Sequence, residues 1–193
     1  LINHSNYVVP QMTREQKRLA IEGPMAVSGV DISERLVKQL LSDMGEGQDQ
    51  LPILQHAMMR TWDYWYVNHE PGEPLDIRHY NAVGKISQAL SLHANETYEE
   101  LTAREKGIAE ILFKSISERT HENKGLRRPA RLGLIAELAE AAEEEVIAVV
   151  EHFRKPGRSF LMPASFIPLH SNSMIDLSHE SLMEIWNRLD TWV

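Results

Sequence analysis

Apolar residues recur at helical spacing through most of this chain, and the best strand candidates are two short runs after residue 158. That pattern limits the chain to a mainly α architecture whose helices bury one stripe each. Thr13-Arg14-Glu15-Gln16 forms a capping box, with Thr13 as N-cap and Gln16 reaching back, and Gly23-Pro24 predicts the end of the helix it opens. Asp31 or Ser33 caps a second helix whose Leu36, Val37, Leu40 and Leu41 share a face, with Gly45 and Gly47 ending it. A third begins at Pro52, acceptable in a first turn, and carries Leu54, Met58, Trp62 and Trp65. Glu70-Pro71-Gly72-Glu73-Pro74 is a loop, and a fourth helix covers about 85–101. Tyr7-Val8-Val9 reads as a short terminal strand.

A new unit opens at a second capping box, Thr102-Ala103-Arg104-Glu105, followed by Ile108, Ile111, Leu112 and Ile116. A polar stretch with Arg127-Arg128-Pro129 leads to a helix through Leu134, Ile135 and Leu138, and another covers about 143–155. Ser159-Phe160-Leu161-Met162 and Ser173-Met174-Ile175-Asp176-Leu177 are the strand candidates. Ser178 then caps a closing helix with Leu182, Ile185, Trp186 and Leu189 inward. Three helices, a two-stranded ribbon and a closing helix is the order of a winged helix. The expected fold is therefore mainly α: a helical bundle over 1–101, then a winged-helix domain with a small β-wing over 102–193.

At 193 residues, with 42% hydrophobic and 25% charged, the chain has enough apolar content for one domain or two small ones. No apolar run approaches the ~18 residues of a membrane span. Leu1-Ile2-Asn3-His4 carries no initiator Met and no signal-peptide pattern, and reads as the cut edge of a longer chain. The absence of cysteine removes disulfides, Cys-ligated zinc and thiol catalysis, and fits a cytoplasmic setting. A net charge of −8 disfavours a partner held by its phosphate backbone.

Enzyme signatures fail one by one. His69-Glu70, His121-Glu122 and His179-Glu180 lack the second histidine of a zincin, and no metal-ligand set is expected. Gly84-Lys85 is followed by Ile86, outside any phosphate-cradling loop. No nucleophile elbow occurs, so catalytic residues are expected to be none. A DNA-binding winged helix needs a basic recognition helix, whereas the helix after the turn begins Glu143-Glu144-Glu145. Those carboxylates suit a helix N-terminus and repel phosphate. Arg127-Arg128 is read as a solvated or ion-paired couple before a phosphate contact. Leu51-Pro52-Ile53-Leu54-Gln55 and Ser178-His179-Glu180 each need no function when taken alone, although an imidazole just after a strand can donate to a phosphate oxygen.

In order along the chain, Tyr7-Val8-Val9-Pro10-Gln11-Met12-Thr13, Ala20-Ile21-Glu22-Gly23-Pro24-Met25-Ala26 and Leu51-Pro52-Ile53-Leu54-Gln55-His56-Ala57-Met58 resemble consecutive motifs of STAND-class NTPases, nearest the bacterial group often fused to WD40 repeats. The stretch Asp176-Leu177-Ser178-His179-Glu180-Ser181-Leu182-Met183-Glu184-Ile185-Trp186-Asn187-Arg188-Leu189-Asp190-Thr191-Trp192 is similar to that group's closing motif. The resemblance spans essentially the whole chain. It implies a helical lid and a winged helix that follow a P-loop ATPase core and clamp ADP in the resting state, with ATP exchange opening the clamp. Position 52 matches the lid proline that lies against the adenine. His179 matches the histidine that contacts the β-phosphate, although in related plant and animal members the triplet is Met-His-Asp where this chain has Ser178-His179-Glu180.

What the resemblance implies is a regulatory, nucleotide-sensing fragment. It would bind no cofactor by itself, with ADP or ATP and magnesium held in the parent protein. Its partners would be an upstream P-loop domain and a downstream WD40-like or other repeat domain, with oligomerisation on activation. The fragment alone is expected not to be an enzyme. A DNA-binding winged-helix regulator and a protein-interaction scaffold are the alternatives.

Overall fold

Helix α1 (Arg14–Ser28) opens as its capping box requires: the Gln16 N–H donates to Thr13 Oγ1 at 3.2 Å and the Thr13 N–H to Gln16 Oε1 at 2.8 Å. It does not stop at Gly23-Pro24. An internal proline costs about 3 kcal/mol through its missing N–H and ring clash. Here Ile21 and Met25, on either side of the proline, are buried, and the Pro24 carbonyl accepts from Ser28 Oγ at 2.9 Å. Burial of that face outweighs the local penalty, and the helix ends at Gly29 in the left-handed region, φ 69°.

A computed structural model describes residues 11–44, 50–119 and 125–192. The expected strand at Tyr7-Val8-Val9 and the glycines at 45 and 47 lie outside them. Among the described residues the chain is mainly α, with small antiparallel strands, as its periodicity predicts. None of their helices is long and apolar enough to cross a membrane. The chain divides into two compact units, Leu1–Ala82 and Val83–Val193.

In the first unit α2 (Glu34–Asp43) is capped by Ser33, whose Oγ accepts from the Leu36 N–H at 3.3 Å. Helix α3 (Gln50–Asn68) contains Pro52 in its first turn, as expected. A six-residue helix, α4 (Ile77–Ala82), has no counterpart in the sequence expectation. It is set by Asp76, whose Oδ1 accepts from the Ile77 N–H at 2.7 Å and from Ser33 Oγ at 2.5 Å, while Arg35 grips both carboxylate oxygens. A short parallel bridge joins the same segments: the Ser33 N–H donates to the Leu75 carbonyl, and the Leu75 N–H to that of Asp31.

The second unit holds α5 (Lys85–Glu99), α6 (Ala103–Ile116), β1 (Ser117–Arg119), β2 (Gly125–Arg127), β3 (Ala130–Arg131), α7 (Leu132–Leu138), α8 (Glu143–Arg154), β4 (Leu161–Met162), β5 (Met174–Leu177), α9 (Ser181–Ile185) and α10 (Asn187–Trp192). Strand β5 lies between β3 and β4, antiparallel to both. Strands β1 and β2 form a separate hairpin that the sequence reading did not anticipate, with Ser117 opposite Arg127. The core is aromatic: Phe113 meets Phe153 and Trp186 edge-on, each with ring centroids 4.9 Å apart. Leu90, Ala94 and Tyr98 of α5 join this core, so that helix packs with the elements after residue 102. The closing helix expected over the last residues is two, broken at Trp186 (ψ 97°), whose fully buried indole N–H donates to Asn95 Oδ1 at 2.8 Å.

Candidate functional site

The segment between β5 and α9 carries the histidine singled out from sequence. Ser178 does not cap the helix. Its N–H donates to the Phe160 carbonyl at 3.0 Å, prolonging the pairing of β5 with the β4 side, and α9 starts only at Ser181. His179 therefore lies in the turn between strand and helix, where its carbonyl accepts from the Leu182 N–H at 3.2 Å. Glu180 takes the N-cap position with helical backbone angles and without a side-chain cap.

The His179 residue is exposed. Partial desolvation of the ring, with the nearby Arg127 guanidinium second, pushes its pKa below the usual histidine value. At neutral pH the ring is thus an uncharged imidazole with one N–H to give.

Arg127 comes from the end of β2. Its Nε donates to Glu180 Oε1 at 3.2 Å, and its Nη1 donates to the Leu177 carbonyl at 3.2 Å and reaches Asp176 Oδ2 at 3.5 Å. The expectation that Arg127 is ion-paired before it is a phosphate ligand holds in the chain as it stands. Sequence reading did not place Arg127 beside the histidine turn, because the partners are about fifty residues apart and two three-residue strands leave no local signature.

The acidic start of α8 also has internal duties. The Ala142 N–H donates to Glu145 Oε2 at 2.9 Å, and Glu145 pairs with Arg104 at 3.2 Å, which holds the Glu145 carboxyl below its usual range. Glu143 through Glu145 remain three carboxylates at the first turn, favourable for the helix dipole and unfavourable for a nucleic-acid backbone.

In the first unit Pro52 is half-buried. Its helix shares with α1 a groove of about 530 Å³, lined by Ile21, Pro24 and Met25 on one side and Leu54, Met58 and Trp62 on the other. Leu51 lines this groove and Pro52 does not, because one residue along a helix turns the side chain by about 100°.

The helices of the two units and the small antiparallel sheets make this a mainly α chain. The family model described as novel STAND NTPase 1 matches residues 1–193, and the chain belongs to that family. No curated protein and no solved structure matches it.

Proposed function

We propose that this chain is the regulatory, nucleotide-sensing part of a STAND-type signalling ATPase. It closes over ADP or ATP held by an upstream P-loop domain and relays the nucleotide state to a downstream repeat domain, such as a WD40 array. In this reading residues 1–101 act as the lid and 102–193 as a winged helix. Pro52 lies against the adenine and His179 contacts the β-phosphate. Nucleotide and magnesium belong to the P-loop domain, and the chain by itself does not hydrolyse ATP.

The observation that carries the reading is the place of His179: exposed, in the turn between β5 and α9 and outside any helix, with its pKa lowered by desolvation and by Arg127. Such a group suits a hydrogen bond to a terminal phosphate oxygen. The helix–strand–helix–helix–strand–strand order of α6, β3, α7, α8, β4 and β5, with β5 central, supports the winged-helix assignment. The acidic start of α8 argues against DNA as the partner.

Switching then requires only a difference in affinity. The module must bind the P-loop domain better with ADP present than with ATP, since a ligand shifts a two-state equilibrium by its differential affinity alone.

The test uses the longer protein that includes the P-loop region. Denaturing it and separating the released nucleotide should give ADP. His179→Ala should speed ADP release roughly tenfold or more, the scale of one hydrogen bond to a charged group. An unchanged off-rate would remove the histidine from the site.

A further inference from the structure

The hairpin β1–β2 has no place in the expected winged-helix plan, yet it is fastened to the elements that carry His179. Gly125 lies so close to α9 that a Cβ there would stand 2.9 Å from the Cβ of Met183. Arg119, on the other strand, pairs with Asp190 of α10. The Arg128 N–H, just beyond β2, donates to the Ile116 carbonyl at 2.9 Å and fixes the hairpin to the end of α6.

Through this clasp one guanidinium reaches both flanks of the histidine: the Leu177 carbonyl and the Asp176 carboxylate before it, and the Glu180 carboxylate after it. We propose that Arg127 is the positioning residue of the nucleotide-sensing site, bracing the Ser178-His179 turn so that the imidazole is held toward a phosphate. The proposal rests on the reading of His179 given above.

The geometry separates this role from direct phosphate binding. Arg127 already faces two carboxylates, so its charge is largely answered within the chain, and an approaching anion would have to displace both. A fork of Nε and Nη1 can hold a carbonyl and a carboxylate on opposite sides of a turn. A lysine ammonium at the end of a flexible stem supplies a similar charge without that geometry. After desolvation, the same guanidinium is the second influence that lowers the His179 pKa. Asp176 and Glu180 are the acidic groups flanking the turn, and both engage Arg127.

Two readouts test the proposal. In the 193-residue chain, the ring protons of His179, assigned by their loss in His179→Gln, are titrated by NMR. Arg127→Met should raise the His179 pKa toward the ordinary value, and Arg127→Lys should leave it low.

In the longer protein, both substitutions should speed ADP release by about tenfold, because lysine restores the charge and not the brace. Glu180→Gln, an exposed and milder change, should give a smaller acceleration in the same direction. An Arg127→Met variant whose His179 titrates as in the parent would overturn the proposal. So would ADP retention that survives Arg127→Lys and Glu180→Gln while His179→Ala abolishes it. If His179→Ala itself leaves retention unchanged, the nucleotide reading fails and the proposal with it. The NMR shift then still records whether Arg127 governs the turn.

Discussion

Arg154, with 2% of its surface exposed, donates through Nε and Nη2 to the two carboxylate oxygens of Glu151, one turn earlier on α8, at 3.0 and 2.5 Å. The rest of the guanidinium serves the β4–β5 connection. It donates to the carbonyls of Pro163 and Ala164, each at 2.9 Å, and to that of Ile167 at 2.8 Å. A buried cation is tolerable here because its donors meet partners. Arg154→Met keeps the length and loses every donor, so three loop carbonyls and a carboxylate must find water. Urea unfolding should show a loss of about 1–3 kcal/mol, the scale of leaving buried acceptors without their donor. A loss below about 1 kcal/mol would mean the loop holds itself.

Gly125 and Gly107 make a paired prediction of opposite sign. A Cβ at 125 enters the Cβ and thioether of Met183, so Gly125→Ala should destabilise the second unit by about 1–3 kcal/mol, as overpacking does. Gly107 is an exposed position inside α6 with nothing within 4 Å of a new Cβ. Gly107→Ala should therefore raise stability by about 0.5–1 kcal/mol through helix propensity. Thermal melts of the two variants beside the parent decide both.

What was legible in the sequence was whatever a few neighbouring residues decide. The capping boxes at Thr13 and Thr102 appear with both reciprocal hydrogen bonds, and α5, α6 and α8 fall near their expected bounds. What failed was decided at a distance. Pro24 reads as a stop until Ile21 and Met25 are seen to be buried on either side of it. Helix α4 depends on Ser33 and Arg35, some forty residues before Asp76. For the candidate site, the place of His179 just after a strand was legible from the run Met174 to Leu177. Its cap was not, because pairing of Ser178 with Phe160 prolongs the strand and α9 starts only at Ser181, with Glu180 at the N-cap.

Asp76 should make the first unit acid-sensitive. Arg35, first, and then Ser33 and the Ile77 N–H hold its carboxyl well below the usual range, against the desolvation that would raise it. A group with a depressed folded pKa contributes stability above its unfolded value, near 3.9, and loses it as the pH falls toward the folded value. Glu73, lowered to about 2 chiefly by Arg78, acts over the same interval. Protection of the α2 and α4 amides against hydrogen exchange should therefore fall as the pH drops from about 5 to 2, after correction for the intrinsic rate. Asp76→Asn should lower protection at pH 7 and flatten that dependence. A parallel decline in parent and variant would show that other groups govern it.

The packing of α5 sets the smallest piece that should fold. Its Leu90, Ala94 and Tyr98 belong to the second core, and its polar face is tied there as well. Asn95 accepts from Trp186 Nε1, Glu99 from Arg188 at 2.8 Å, and Glu100 from Arg158 through two contacts of 2.6 Å. The Arg188 guanidinium also stands 4.2 Å from the centroid of the Tyr98 ring. A piece beginning at residue 83 keeps all of this, whereas one beginning at 102 bares the sites of Leu90 and Tyr98, worth about 1.5–3 kcal/mol each in burial, and leaves the Trp186 indole N–H unpaired. Residues 83–193 should unfold in one cooperative urea transition. Residues 102–193 should lose several kcal/mol relative to it and show a red-shifted tryptophan emission as Trp186 meets water. Equal midpoints for the two pieces would mean that α5 docks on a unit already complete without it.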